Sequence, residues 1–251
     1  MKIIIIIIIF FSNEIFSREI GETEITTEKG IEVFQKEKYY LLKKNVKIIS
    51  DTFELYADLV KAYFEEDMYD IINIESEGNV TLKSSKGLIA KGEKINFSTI
   101  NENILILGKN SSLVYIDINM FSNEYISVNN KTGEFTLKGD SSELKAKDIE
   151  IYGEFIDGKY VTINNVNEVE KLFVEDKKQS NIKTTKLNMF SLRAKYNKTE
   201  NIIELFENVK VVRNTEIITG DYANINTLDE SYKVISKEDK KVKVLIKNTD
   251  E

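Results

Sequence analysis

Apolar and polar residues alternate along most of the chain with a period of two, which predicts β-strands rather than helices. β-Branched and aromatic residues fill the alternating segments, and Gly, Asn, Asp and Ser separate them. The pattern predicts an all-β fold of about 15 to 20 short strands of ordinary length. Two stretches, 56–66 and 166–178, are also compatible with helix. The repeat described next favours strand for the first stretch, and the second stays open. The clearest alternating segments are Val80-Thr-Leu82, Ile95-Asn-Phe97, Phe135-Thr-Leu137, Val161-Thr-Ile163, Val209-Lys-Val211 and Val242-Lys-Val244.

Landmark residues recur along the chain at intervals of about 30 residues. Gly78, Gly108 and Gly139 each follow an alternating segment, at spacings of 30 and 31 residues, and we expect each to close a strand at a turn. The pattern Asn-Val-x-apolar begins at Asn45 and at Asn79, 34 residues apart, and again at Asn208. A repeat of this length indicates an array of units, none of which buries its apolar face alone. Stacked units would form a long sheet with a continuous apolar interior.

The first 17 residues have the features of an export signal. Met1-Lys2 is a minimal positively charged start, and Ile3–Phe11 is an unbroken apolar run that polar residues then end. This run matches the apolar core of a signal peptide and falls well short of the roughly 20 residues that a membrane-spanning helix needs. We therefore predict a cleaved signal peptide at 1–17, a mature domain at 18–251 and a location outside the cytoplasm. An uncleaved N-terminal anchor is the alternative.

The composition excludes several kinds of chemistry. The chain lacks Cys, His, Trp and Pro, which removes disulfides, thiol chemistry, histidine-based catalysis and histidine metal ligands. Its net charge of −7 disfavours nucleic acid as a partner, because nucleic-acid binding relies on Lys and Arg that neutralise phosphates. No Gly-rich phosphate loop, nucleophile elbow or metal-ligand spacing occurs in the sequence. We expect no enzymatic activity, no cofactor and no metal.

Clustered charges are the remaining candidates for chemistry. Glu65-Glu66-Asp67 and Glu238-Asp239 have the composition of an acid pair or a Ca²⁺ site, but they lie in polar runs where like charges usually face water. Lys177-Lys178 and Lys240-Lys241 are cations of the kind that meet lipid phosphates. A solvated turn is the simpler interpretation of both lysine pairs.

The order of the landmarks resembles the LptA/OstA family of lipopolysaccharide transport proteins. Residues 77–108 follow the family pattern of Gly-Asn-Val, a small residue with a charged neighbour, alternating apolar residues and a closing Gly. Residues 206–225 look like a second copy, and the resemblance spans most of 44–236. It implies an OstA-like β-jellyroll of stacked antiparallel strands, open at both ends. It also implies a periplasmic carrier that bridges the inner and outer membranes and shields lipid A acyl chains in an apolar groove.

The alternation and the resemblance together predict a lipid-binding groove on the inner face of the sheet. A packed core that leaves no room for a ligand needs the same apolar inner face, so both interpretations remain open. The candidate groove residues are Val46, Ile48, Ile72, Ile74, Val80, Leu82, Ile95, Phe97, Leu105, Leu107, Ile203, Leu205, Val209 and Val211.

Three other functions remain open at this stage. An LptC-like partner held at the inner membrane fits the same pattern if the apolar run at 3–11 is not cleaved. An extracellular β-solenoid scaffold or adhesin is a second alternative, although such proteins usually repeat at shorter or stricter intervals. A β-helix enzyme that acts on polysaccharide is disfavoured, because no acid or arginine constellation is present. Residues 164–186 break the register of the repeat and indicate an insertion or an internal joint.

The two ends of the sheet are candidate contact surfaces. A stacked sheet that does not close leaves unpaired N–H and C=O groups on its first and last strands, and this chain has no Pro to protect them. We expect the segments 39–49 and 242–246 to be these edges. Pairing of edge strands would join the chain to other Lpt-type jellyroll proteins, or to further copies of itself head to tail.

Overall fold

The computed structural model describes residues 18–66, 70–229, 231–237 and 239–246. The predicted signal peptide lies outside the described residues, as do Asp67, Glu238 and the last residues from 247 onward. The regular structure of the described part is β-strand throughout, which confirms the all-β prediction and the expected number of strands. The strands are β1 (Glu24–Thr26), β2 (Ile31–Phe34), β3 (Tyr39–Ile49), β4 (Phe53–Phe64), β5 (Ile71–Ser84), β6 (Leu88–Ser98), β7 (Asn103–Leu107), β8 (Ser111–Tyr115), β9 (Ile118–Ser122), β10 (Tyr125–Asn129), β11 (Glu134–Ala146), β12 (Ile149–Ile163), β13 (Val166–Thr184), β14 (Asn188–Asn197), β15 (Ile202–Arg213), β16 (Glu216–Asn226), β17 (Tyr232–Ile235) and β18 (Lys243–Ile246).

Antiparallel pairing between passes of the chain that follow one another builds the sheet. The long strands pair in succession from β3 to β6 and from β11 to β16. Between them, β7 and β8 are two halves of one pass, because both pair with β6. Strands β9 and β10 are the two halves of the next pass, because both pair with β11. In the same way β1 and β2 both pair with β3, and β17 and β18 both pair with β16.

Each long strand bends near its middle, at a bulge where the register of pairing shifts. The row of these bends is referred to as the spine. The bends fold the sheet into two facing walls, so that both ends of a strand come to the same side. Tyr115 at the end of β8 therefore contacts Tyr160 near the other end of a pass, with ring centroids 6.1 Å apart. The architecture is a β-jellyroll of stacked, bent antiparallel strands.

The side opposite the spine is referred to as the mouth. The connections β3–β4, β5–β6, β8–β9, β11–β12, β13–β14 and β15–β16 follow the free border of the first wall. The connections β6–β7, β10–β11, β12–β13, β14–β15 and β16–β17 follow the free border of the second wall. The two rows of connections face each other across the mouth, where Lys86 of the first row lies 3.9 Å from the carboxylate of Glu102 in the second.

The repeat of about 30 residues corresponds to two passes of the chain. Asn45, Asn79 and Asn208 lie on the spine with φ angles of 47°, 48° and 53°, a left-handed conformation that Asn tolerates better than most residues. The Val after each Asn returns to the interior. The Asn-Val pattern therefore marks the bends.

The three landmark glycines also lie on the spine, and the prediction that each closes a strand was wrong for two of them. Strands β5 and β11 continue through Gly78 and Gly139, and only Gly108 separates two strands. Gly78 has a φ of 82°, and a Cβ there would lie 2.7 Å from the Cβ of Asp58 in the neighbouring bend. A bend of this kind interrupts the alternation of apolar and polar residues, and in the sequence this interruption resembles the end of a strand. The backbone hydrogen bonds to the neighbouring strands nevertheless continue on both sides of the bend.

The irregular segment at 164–186 is the long strand β13, which pairs with β12 on one side and with β14 on the other. Residues 166–178 are therefore strand rather than helix. The register break is a larger bend of the spine between Glu175 and Ser180. There the carboxylate of Asp176 accepts hydrogen bonds from the N–H groups of Lys178 and Gln179, at 2.7 and 2.9 Å. The bend accommodates the extra residues without interrupting the sheet.

The N-terminal edge differs from the prediction. Strand β3 is an internal strand, because β1 and β2 cover the side that β4 does not. The segments that form β1 and β2 are only three and four residues long, too short for alternation to reveal them. The edges of the sheet are therefore β1–β2 at one end and β17–β18 at the other, and the segment 242–246 lies at an edge as predicted.

Candidate functional site: the interior and the mouth of the jellyroll

Most of the predicted groove residues lie inside the jellyroll. Ten of the fourteen are at most 2% exposed and belong to one apolar core between the walls. Phe97 is half-buried and packs against the same core. Their neighbours Thr81, Asn96 and Lys210 lie on the outer face, as alternation along a strand requires. The ten buried residues are Val46, Ile48, Ile74, Val80, Leu82, Ile95, Ile203, Leu205, Val209 and Val211.

The remaining three predicted residues do not face the interior as expected. Leu105 and Leu107 are half-buried, whereas Ile104 and Ile106 are buried in their place. The four residues form an unbroken apolar run, so alternation cannot fix which pair faces inward. Ile72 lies at a register shift between β4 and β5, and its neighbour Ile71 packs against the core instead. A bulge exchanges the two faces of a strand locally, and the sequence pattern does not reveal it.

Buried polar residues distinguish the spine from the mouth. Seven polar side chains are buried in the described part of the chain, and six of them are serines on or next to the spine: Ser76, Ser111, Ser122, Ser142, Ser180 and Ser191. The serine hydroxyls donate to backbone carbonyls of the bends. Ser76 donates to Ile95 and Ser111 to Gly108, each at 2.7 Å. These serines were not among the predicted site residues. In the sequence, such a residue is recognisable as a serine at a position that alternation predicts to face inward, next to a bend.

The seventh buried polar residue, Asn167, joins the two walls across the mouth. Its side-chain N–H donates to the backbone carbonyl of Tyr115 at 3.0 Å, and its oxygen accepts the hydroxyl of Thr162 at 2.7 Å. The ring of Tyr115 meets the ring of Tyr160 edge-on. Tyr115, Tyr160 and Asn167 are referred to as the latch. Burial, and to a smaller extent Tyr115 and Glu102, raises the pKa of Tyr160 well above its ordinary value, so its hydroxyl is protonated at neutral pH.

Among the described residues, two cavities border the mouth, one on each side of the latch. The larger one has a volume of about 320 Å³ and lies among β11 to β16. Its volume is within the range of roughly 300–1,000 Å³ that is typical of ligand pockets. The smaller one, of about 160 Å³, lies among β4 to β7 and is lined by apolar residues that include Phe53, Leu82, Phe97 and Ile104.

The charged clusters of the sequence are exposed or form ion pairs at the surface. Glu65, Glu66 and Asp239 are exposed, and so are Lys178 and Lys241. Lys177 pairs with Glu154 at 2.5 Å, and Lys240 pairs with Asp221 at 3.0 Å, both next to the spine. The described residues contain no group of acidic side chains arranged to hold a metal ion. In the same part of the chain, no helix is long and apolar enough to cross a membrane.

Comparisons with known proteins give similarity among solved structures. No family model matches the chain, and no curated protein matches it. Among solved structures, the chain is similar to LptH, the LptA homologous periplasmic component of the lipopolysaccharide transport device of Pseudomonas aeruginosa. The TM-score is 0.43 and the sequence identity is 14%, over 52% of this chain and 95% of LptH.

Proposed function

We propose that this chain is a non-catalytic periplasmic carrier that binds the acyl chains of lipopolysaccharide between the two walls of the jellyroll. The observation that supports the proposal is the continuous apolar core from β3 to β16, which is bounded by the spine on one side and by the mouth on the other. The landmarks that resemble the LptA/OstA family suggest the class of ligand. The ten buried groove residues are the proposed binding surface.

The geometry suits a ligand with apolar chains and a charged head. Acyl chains between the walls would gain about 0.8 kcal/mol for each methylene removed from water. The headgroup would stay at the mouth, in contact with solvent. The core residues pack against one another, so the walls must separate at the mouth to admit the chains. The bends of the spine are the positions about which such a separation would occur.

The edges of the sheet are the proposed contact surfaces for bridging the two membranes. Strand β18 pairs with β16 along one side, and Val244 and Ile246 at this edge are 48% and 70% exposed. At the other end, Ile31 and Val33 of β2 are 47% and 45% exposed. We infer that the partners are other Lpt-type jellyroll proteins, or a further copy of the chain, joined head to tail by edge-strand pairing. An LptC-like role at the inner membrane is the alternative.

Binding of lipid A tests the carrier function. The purified exported chain would be titrated with a fluorescent lipid A analogue, and the same sugar without acyl chains would serve as the control. We expect saturable binding of the acylated compound, displaced by unlabelled lipid A, and no binding of the deacylated sugar. A folded chain that binds neither compound, or binds both equally, would contradict the proposal.

Sedimentation tests the edge contact. We expect association of the exported chain to rise with its concentration and to decrease when residues 239–251 are removed. A monomer at every concentration, unchanged by truncation, would exclude self-association through β18. N-terminal sequencing of the exported chain distinguishes a cleaved leader from an LptC-like anchor.

A further inference from the structure

The larger cavity at the mouth has an apolar floor. It lies under the connections β11–β12 and β13–β14 of the first wall and faces β14–β15 of the second. Tyr196 is half-buried beside it and packs against the core. The cavity is partly open to solvent. Its apolar lining consists of Ile149, Val169, Leu187, Tyr196, Ile203 and Ile225.

The rim of this cavity carries more cations than anions, although the chain as a whole has a net charge of −7. Three lysines, Lys147, Lys186 and Lys198, border the cavity together with two carboxylates, Asp148 and Glu168. Lys198 forms an ion pair with Glu168. Lysine ammonium groups bind phosphate as point charges.

A hydroxyl group adds a hydrogen-bond donor to this rim. Burial, followed by the nearby carboxylates of Glu168 and Asp148, raises the pKa of Tyr196. Its hydroxyl is therefore protonated at neutral pH and is able to donate to a bound oxygen.

The latch bounds the cavity on the side nearer the N-terminal half of the mouth. Asn167 lines the cavity and holds Tyr115 of the opposite wall. The latch therefore separates this cavity from the N-terminal half of the mouth. The smaller cavity beyond the latch has about half the volume and one lysine, Lys86, opposite Glu102.

We propose that the larger cavity is the port through which a phosphate-bearing lipid inserts its first acyl chain, with the phosphate held by the lysines of the rim. The inference rests on the proposed carrier function and adds the position of first contact. Insertion begins among β13 to β16, at the mouth, and the latch separates this first step from occupation of the whole interior.

Dodecyl phosphate, used below its micelle concentration, is the probe of the port. Methyl NMR of the exported chain is expected to show shifts at Ile149, Leu187 and Ile203, while Leu88 and Ile104 at the smaller cavity stay unchanged. Dodecyl maltoside has the same tail without the charge and should bind about tenfold more weakly, because charge-assisted contacts to the rim are lost. Inorganic phosphate alone should give no methyl shifts.

Paired variants locate the two parts of the site. The double change Lys147→Glu and Lys198→Glu should weaken dodecyl phosphate by about tenfold and leave dodecyl maltoside unchanged, because it reverses charge at the rim only. Lys86→Glu at the smaller cavity is the matched control and should change neither affinity. Val169→Phe fills the larger cavity and should abolish binding, whereas Ile104→Phe at the smaller cavity should not. The NMR experiment on the unmodified chain decides the location if a filling variant fails to fold.

The outcomes separate the port from the carrier function. Methyl shifts confined to the smaller cavity, or equal affinities for the two detergents, would overturn the port. If lipid A still binds in that case, the carrier function stands and the first contact lies elsewhere. If neither lipid A nor dodecyl phosphate binds, both proposals fail.

Discussion

The spine and the mouth close the same apolar interior in different ways. At the spine, six buried serines bond to the backbone of the bends, and every long strand passes through. At the mouth, the walls end in connections that face each other, and Asn167, the one buried amide among the described residues, crosses between them with two tyrosines. The cavities on the two sides of this contact lie along the mouth.

This difference indicates where the molecule is able to open. Separation of the walls at the spine would break backbone ladders and leave buried polar groups unpaired, which is costly. Separation at the mouth breaks few hydrogen bonds and exposes aromatic and aliphatic side chains that a lipid would cover again. We therefore assign the spine a structural role and the mouth a role in ligand access.

The largest effect is expected from a charge placed inside, where spine and interior meet. Val80 follows the bend at Asn79 and is 1% exposed, so Val80→Asp should destabilise the fold by roughly 3–5 kcal/mol, because a carboxylate is buried without a partner. Thr81→Asp, one residue along on the outer face, should change stability by less than about 1 kcal/mol. Denaturant unfolding of both variants measures the difference. Equal destabilisation would show that the two faces are wrongly assigned.

A smaller effect is expected at the latch. Asn167→Ala removes two hydrogen bonds, one of them the bond across the mouth to the Tyr115 carbonyl, at a cost of about 1–3 kcal/mol. The variant should also take up the lipid A analogue faster, because the walls lose their cross-link. Asn103→Ala, which removes an exposed amide pair with Asn129, is the control and should alter neither property. Unchanged uptake in a destabilised Asn167→Ala variant would remove the latch from the access route.

A substitution at the spine should lower stability without changing the rate of lipid uptake. Ser111→Ala removes the bond to the Gly108 carbonyl and should cost about 1 kcal/mol without changing the rate of lipid uptake. Ser112→Ala, on the outer face of the same strand, should be nearly neutral. Stopped-flow fluorescence with the lipid A analogue gives the rates. Faster uptake by Ser111→Ala than by Asn167→Ala would reverse the roles assigned to the two regions.

Alkaline pH should weaken the fold, with the smallest effect, and Tyr160 of the latch should contribute to the loss. The folded chain holds the pKa of Tyr160 above its unfolded value, so the associated stability is fully present below about pH 10 and is lost as the pH rises further. Tyr160→Phe should flatten this decline. Part of the decline should remain, because the pKa of Tyr196 is also raised, as are the pKa values of five other tyrosines: Tyr56, Tyr63, Tyr152, Tyr222 and Tyr232. Thermal unfolding between pH 8 and 11 measures the slope for each variant, and identical slopes would show that Tyr160 does not contribute.

The comparison also explains which features the sequence was able to predict. Strands with strict alternation, such as those around Val80 and Val209, had the correct inward face because one face of each is polar. The unbroken apolar run at 104–107 has no polar residue to mark its outer face. Leu105 and Leu107 were therefore wrongly predicted to face inward in place of Ile104 and Ile106. The Asn-Val pattern marks the spine because the bends require a left-handed residue.

The mouth was not predictable in the same way. The latch joins Tyr115 to Asn167 across 52 residues, and no local pattern records that contact. The cavities likewise arise from packing between walls, to which distant strands contribute. Strands β1 and β2, which cover β3, were missed because they are too short to show a period.

Photo-crosslinking of a lipid A analogue to adjacent inward and outward positions tests the central claim most directly. A photoreactive residue would replace Phe97 or Tyr196, which face the interior, and in separate variants their outward neighbours Asn96 or Lys195. Binding between the walls predicts strong labelling at Phe97 and Tyr196, in both halves of the mouth, and little at the two neighbours. Equal labelling of inward and outward positions, or labelling of the outward positions alone, would contradict the carriage of acyl chains inside the jellyroll.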